Sequence, residues 1–592
     1  MRPRAGKSSQ PPVFRSAPQT DPVVPPPHSN LLQVPSPTPA HLLQETFLRA
    51  RDFHSGMILR EKLAKKICGS NRSTMCPPSP KPERMTDEFT SAHGPRTYQR
   101  IFAVLVLLEK SLRIRRFIKE KVTDRDLPLT LRLSDEKMFR RTDKRQSNPL
   151  ACFKGWSLPA KKRFEQVQWG VKAPYFCQGS DDRPVLRFSF DSKVILPFTF
   201  REMVGEGAHG VVFKVCIHEG HHGFGGHTRP FALKILKDRD AKALTRESMV
   251  PKLLSREPHP NILPLLATLE QRGKYSLLFE SAETSLAKYW DQTPLPAAGH
   301  QTTLWLAREC AGLARGLTRI HGPHMVAIGV LAHLDSFKDK LEPGEHHRVR
   351  AEKPSEPSSY SVYIAPRHGD LKAENLLLFP STTGADGASR DPSQDYTIKI
   401  SDFGLSGFDP IENPKGRITG SYAPPESETH PVIYGNLCDV WSLGCLYLEF
   451  IVWYFGGKEL LETFIKLRNQ EPTCRFFETY PLDQAVSDVH TRHFAQVKGC
   501  VLKFIRTLRN HERCTRYFSD FLDLIEGSML VIDDGHLPHD PKDKGHHGPP
   551  IEGQERIRQN CRKVASRLDE MYTTCLKDED YAFKSLNPNT TE

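Results

Sequence analysis

His368-Gly369-Asp370-Leu371-Lys372-Ala373-Glu374-Asn375 decides how the rest of this chain reads. A carboxylate, an ammonium two residues on and an amide five residues on are the side chains that phosphoryl transfer needs. Asp370 would orient or receive the proton of an attacking hydroxyl. Lys372 would sit beside the transferring phosphate, and Asn375 would give an oxygen to a magnesium ion. Gly369 stands where most loops of this kind carry arginine. Eight residues can recur by chance, so the reading depends on finding partners elsewhere in the right order.

Downstream, Asp402-Phe403-Gly404 follows the strand-like run Tyr396–Ile400, and Asp402 adds a second hard oxygen ligand for magnesium. Ala423-Pro424-Pro425-Glu426 closes the segment beyond it. Upstream, Gly205-Glu206-Gly207-Ala208-His209-Gly210 fits GxGxxG, but its last glycine opens the strand Val211–Val215, not a helix. That context excludes a dinucleotide fold and makes the turn a flap whose backbone approaches nucleotide phosphates, with Val212 in the same nucleotide-binding set. Lys234 lies mid-strand in Phe231–Leu236, where an ammonium is costly to bury unpaired. A phosphate pair and a helix carboxylate would pair it, and Glu247 is the candidate carboxylate. Pro251, four residues later, should kink that helix or end it early.

With these six pieces in order, residues 198–575 resemble a eukaryotic protein kinase of the serine/threonine type. The resemblance implies an α+β, bilobal protein-kinase-like fold: a small β-rich N-lobe with one main helix and a larger, mostly helical C-lobe. It implies ATP and Mg²⁺ as cofactors and protein hydroxyls as substrates. It also makes Phe279 the gatekeeper, Glu280 and Ala282 the adenine-binding hinge, Asp439 the brace of the catalytic loop and Arg556 the partner of Glu426. Lys372 and Thr419 fit the serine/threonine pattern. His-Gly-Asp-Leu-Lys-x-Glu-Asn, Pro264–Thr268 and Phe164–Trp169 are similar to a set of filamentous-fungal kinases. Gly369 has no side chain to grip a phosphate on the activation segment, so activity should not need phosphorylation of Thr419 or Ser421. The alternative is a pseudokinase or scaffold that uses the fold to bind partners.

Composition sets the surroundings. The 592 residues include 48 prolines, and residues 1–40 read as a disordered Pro-rich tail. Residues 41–195 read as a partly helical accessory region, 196–576 as the kinase domain with a surface insertion at 323–366, and 577–592 as a C-terminal tail. The tail and the insertion are candidate docking segments. Within the accessory region, Tyr98–Lys121 reads as one amphipathic helix, with Ile101, Val104, Leu105, Leu108, Leu112 and Ile114 along one side. The net charge of +13 reads as spread over the chain, so no stable nucleic-acid contact is expected; nucleic acid or anionic lipid would need a clustered basic face. Thirteen cysteines without a CxxC pair and no secretory h-region point to the cytoplasm. The basic clusters Arg113–Arg116 and Lys161–Arg163 make the nucleus an alternative. The apolar runs Ile101–Leu108 and Val440–Phe455 read as buried helices, not membrane spans. Histidines 218, 221, 222 and 227, and 539, 546 and 547, lie in Gly/Pro-rich stretches and read as solvated loops, not metal sites.

Overall fold

The switch from helical to alternating patterning at Phe198 marks a sheet, and the sheet is the part that positions most of the site. The computed structural model describes residues 98–587 except 142–147, 181–183, 226–228, 239–240, 328–360, 381–395, 410–419, 428–434, 471–472, 482–492 and 533–556. The Pro-rich tail, Thr419, Arg556, His227 and the later histidine cluster therefore lie outside the described residues.

Ahead of the sheet comes a small unit with its own core: α1 (Gln99–Leu107), α2 (Ile114–Lys119), the hairpin β1 (Leu129–Arg132) and β2 (Lys137–Arg140), and α3 (Leu158–Val167). The single helix expected over Tyr98–Lys121 is broken. Glu109 takes φ 57°, and a 3₁₀ turn at Ser111–Arg113 leads into α2. The break swings α2 so that Phe117 is buried against Phe153 and Phe164. Leu112, expected on the apolar side, is instead 79% exposed.

The six-stranded sheet runs β3 (Leu186–Phe190), β7 (Leu265–Gln271), β8 (Lys274–Glu280), β6 (Phe231–Leu236), β5 (Gly210–Ile217), β4 (Phe198–Glu206) in spatial order. β3 pairs parallel with β7, so the sheet takes in residues ahead of the boundary expected at 196. The small unit meets this end through Arg141, which pairs with Asp191 at 2.9 Å, and the Gln271 amide of β7 in turn donates to the carbonyls of Asp191 and Val194. His221 and His222 are buried, not solvated. His221 Nδ1 lies 2.8 Å from the Pro174 carbonyl, and His222 packs edge-on to Phe231. No group of three or more metal-ligating side chains converges among the described residues.

α4 (Ala241–Leu254) does not stop at Pro251. That proline removes the amide that would bond the carbonyl of Glu247, yet burial of Met249, Val250 and Leu254 holds the helix together. Beyond the sheet lie β9 (Thr284–Ser285), α5 (Leu286–Gln292) and α6 (His300–Ile320), followed by β10 (His324–Ala327) and β11 (Ser361–Arg367). β10 and β11 pair antiparallel, so the described ends of the insertion are the two strands of a hairpin. β12 (Leu376–Pro380) pairs with β13 (Tyr396–Ile400), and β14 (Gly407–Asp409) with β11.

α7 (Leu437–Asn469) is the one helix among the described residues long and apolar enough to cross a membrane, but nearly all of its apolar stretch is packed inside the protein. It bends at Gly456 and Gly457. β15 (Phe477–Pro481), β16 (His493–Val497), α8 (Gly499–Arg509), α9 (Arg516–Leu524) and α10 (Cys561–Lys577) complete a large apolar core around α6 and α7.

Candidate active site

Three segments far apart in sequence meet at Lys234. Its ammonium, carried by β6, lies 2.8 Å from Glu247 Oε2 on α4 and 2.7 Å from Asp402 Oδ1. Burial alone would lower the lysine's pKa, but Asp402 and Glu247 outweigh it and raise it, so the cation is retained. Burial likewise pushes the Asp402 carboxyl up, and the Lys234 ammonium more than reverses this, holding it below the usual carboxylate range. Asp402 sits at φ 59°, a conformation that non-glycine residues seldom adopt and that clusters at functional sites.

The loop His368–Asn375 forms a second cluster. Lys372 Nζ donates to Asp370 Oδ2 at 2.7 Å, and the Asn375 amide nitrogen donates to the same oxygen at 2.9 Å and to the Asp370 carbonyl at 2.8 Å. With its nitrogen committed to Asp370, the oxygen of Asn375 is the atom left to serve as a metal donor. Ser401 joins the two clusters: its amide and hydroxyl both donate to the Asn375 carbonyl, at 2.9 and 2.7 Å, one residue before Asp402.

Asp439, fully buried on α7, holds the loop from beneath. It accepts the amides of His368 (2.7 Å) and Gly369 (2.8 Å) and contacts His321 Nε2 at 2.8 Å. Burial pushes this carboxyl up, but the His321 contact, the nearby His368 ring and the Gly369 amide bring it below its ordinary value. Gly369 has φ +79°, and a Cβ built on it would lie 2.7 Å from the Leu405 carbonyl oxygen. In this conformation the loop leaves no room for a side chain at this position unless the backbone shifts.

The flap spans the end of β4 and the start of β5. The Gly207 amide donates to the Gly210 carbonyl at 2.9 Å, and a Cβ on Gly210 would lie 2.8 Å from the Ile235 carbonyl oxygen. Gly205 and Gly207, by contrast, face open space. His209 at the tip packs on Gly404, and a polar cavity of about 250 Å³ lies among Ala208, His209, Lys237, Asp238, Glu247 and Gly404. Val212 is in register with Lys234. Phe279 and Glu280 end β8, and the Glu280 carboxylate lies 3.7 Å from Lys399; Ala282 follows just beyond. A larger cavity of about 390 Å³, between Asp520 and Arg567, contains none of these residues.

The expected Arg556–Glu426 pair is corrected. Arg558 makes the contact, with Nη1 and Nη2 both reaching the Glu426 carboxylate and Nε donating to the Val531 carbonyl. The spacing misled because Gly535–Pro550 lengthens the preceding segment, and Arg558 lies only two positions from Arg556. His321 was also missed; its place at the C-terminal end of α6 becomes meaningful only once Asp439 is brought against it.

The class follows from comparison with known families. Residues 365–517 match the protein kinase domain, so the chain carries a protein kinase domain of mixed α/β content. Its similarity to individual kinases is distant. Cyclin-dependent kinase 14 of Xenopus laevis is 24% identical over 254 residues, covering 42% of this chain and 43% of that protein. Human cyclin-dependent kinase 15 is 24% identical over 280 residues, 45% of this chain and 48% of that protein. Serine/threonine-protein kinase ppk23 of Schizosaccharomyces pombe is 34% identical over 109 residues, 17% of this chain and 23% of that protein. The chain thus spans less than half the length of the curated relatives it matches.

Proposed function

We propose that the protein is an ATP- and magnesium-dependent serine/threonine protein kinase, with the sheet and α4 as the smaller lobe and the helices around α6 and α7 as the larger. The observation that carries this reading is Lys234 held between Glu247 and Asp402, beside the hydrogen-bonded set Asp370, Lys372 and Asn375. A buried ammonium between two carboxylates is ready to hold phosphate oxygens, and Asp402 with Asn375 offers the hard oxygen donors that suit magnesium. The open space above Gly205 and Gly207 fits a nucleotide's phosphates. Asp402 and Asn375 would hold magnesium, which would neutralise charge on the phosphates. Asp370 orients the attacking hydroxyl, Lys372 offsets charge developing on the transferred group, and Asp439 fixes the loop so that little reorganisation is needed. Glu280 and Ala282 hold the adenine edge, and the substrates are protein serine or threonine side chains. The likeness to filamentous-fungal kinases belongs to the same proposal, as does a cytoplasmic or nuclear location.

The test is ATP turnover with Mg²⁺ on a generic serine/threonine substrate, comparing the natural protein with Asp370→Ala and Asp402→Ala. Activity should fall by at least about 100-fold in each variant. Equal signal from all three proteins would end the enzyme reading and leave a scaffold in its place.

A further inference from the structure

The positive charge of this chain is not spread evenly. Residues 98–172, the small unit ahead of the sheet, hold 19 of the 83 basic residues but only 8 of the 70 acidic ones, a net +11, against +7 over residues 1–97. Over residues 173–592 acidic residues outnumber basic ones, 55 to 50. Among the exposed, described residues of the unit, ten are basic and only Glu109 and Glu136 are acidic. The exposed surface of this unit is therefore predominantly basic.

Its most ordered part is one helical stripe. Leu112, Arg115, Arg116 and Lys119 recur at i, i+3, i+4 and i+7, all exposed, while Ile114 and Phe117 on the opposite side are buried in the unit's core. Arg116 Nη1 donates to the Lys154 carbonyl at 2.8 Å, which brings the exposed Lys154 alongside. Glu120, the nearest acid in sequence, is half-buried, and its carboxylate accepts the amides of Ala151 and Cys152. The stripe thus presents cations with a leucine at its head, 79% exposed.

We propose that this face docks the protein on an anionic phospholipid surface. The charge favours any polyanion, but Leu112 separates the candidates. Nucleic-acid phosphates gain nothing from an exposed leucine, and the stripe offers no amide or aromatic side chain to read or stack a base. A lipid headgroup layer presents anions directly above hydrocarbon, so it satisfies the arginines, the lysines and the leucine together. This is peripheral attachment and needs no spanning helix. It is independent of the catalytic reading.

The experiment sediments the full chain, without ATP, with phosphatidylcholine vesicles that contain or lack phosphatidylserine. Binding should require phosphatidylserine and weaken as salt rises. Removing two charges from the stripe, R115Q/R116Q, should lower the partition by on the order of 30-fold, at about fivefold per charge. Removing two from α3, K162Q/R163Q, should cost far less. Leu112→Ser should lower binding several-fold at a salt concentration where the charge contribution is screened. All these positions are exposed, and because Arg116 also holds the Lys154 carbonyl, each variant's urea midpoint is measured alongside and should match that of the natural protein. The proposal is overturned if both double variants lose equally, or if Leu112→Ser binds like the natural protein at every salt. It is also overturned if vesicles are ignored while labelled duplex DNA or polyglutamate is bound.

Discussion

Replacing Gly369 with alanine tests the catalytic-loop geometry most directly. The residue has φ +79°, where an L side chain costs about 1–2 kcal/mol, and its Cβ would press on the Leu405 carbonyl at 2.7 Å, adding about 1–3 kcal/mol if the backbone must shift. The expected loss is therefore about 2–5 kcal/mol, divided between global stability and local displacement of the loop. The displacement matters more for function, because the Gly369 amide donates to Asp439 and Asp370 is the next residue. A shift of about 1 Å at Asp370 should cost about 100-fold in turnover. The assay pairs a urea midpoint with kcat on a generic substrate. Gly369→Arg, which installs the residue most such loops carry, should be worse than alanine and should not create dependence on activation-segment phosphorylation. Unchanged stability and turnover in Gly369→Ala would refute the argument that packing excludes a side chain here.

Four other outcomes follow from particular contacts. Arg558→Ala leaves Glu426 without its bidentate partner and should lower the urea midpoint, at a cost of about 3–5 kcal/mol. Thr419→Ala with Ser421→Ala should keep most kinase activity, because the loop has no arginine to hold a phosphate at those positions; a collapse would sink the idea. Burial, with Arg315 and Arg319 nearby, lowers the pKa of His259, and burial with Arg319 does the same for His324. The unfolded chain then binds more protons near pH 6, so stability is full above the ordinary value of 6.5 and is lost as pH falls through the folded values. The urea midpoint should be lower at pH 5.5 than at pH 7.5, and replacing His259 with glutamine should reduce that difference. Lys234→Met leaves Glu247 and Asp402 facing each other without a cation, so the protein should lose ATP turnover and become less stable at neutral pH.

Legibility differed by the range of the interaction. Local placement was readable from the chain: the spacing of Asp370, Lys372 and Asn375, which the structure joins by hydrogen bonds, and the strand position of Lys234 depend on neighbours within a few residues. The sequence could name Glu247 as the Lys234 partner because helix and strand patterns leave few carboxylates in range. It could not say that α4 survives Pro251, since that depends on burial of Met249, Val250 and Leu254 by other segments. Nor could it choose Arg558 over Arg556, because the two lie two positions apart and only the folded contacts of Arg558 with Glu426 and Val531 distinguish them. The break at Glu109 was hidden for the same reason: the apolar spacing of Tyr98–Lys121 suits a straight helix, and only Phe153 and Phe164, about forty residues on, pull Phe117 out of line. His221 and His222 looked like loop residues because Phe224 is the one aromatic cover close by in sequence, whereas the Pro174 carbonyl on His221 and the Phe231 ring on His222 come from other segments.

His368–Asn375 therefore determined by itself the kind of chemistry to look for, since the order of donor groups along one loop is a covalent fact. Tertiary structure decided what the second position can hold. A carbonyl from Leu405 and a carboxylate from Asp439, both distant in sequence, converge on Gly369 and leave no room for a side chain unless the backbone shifts.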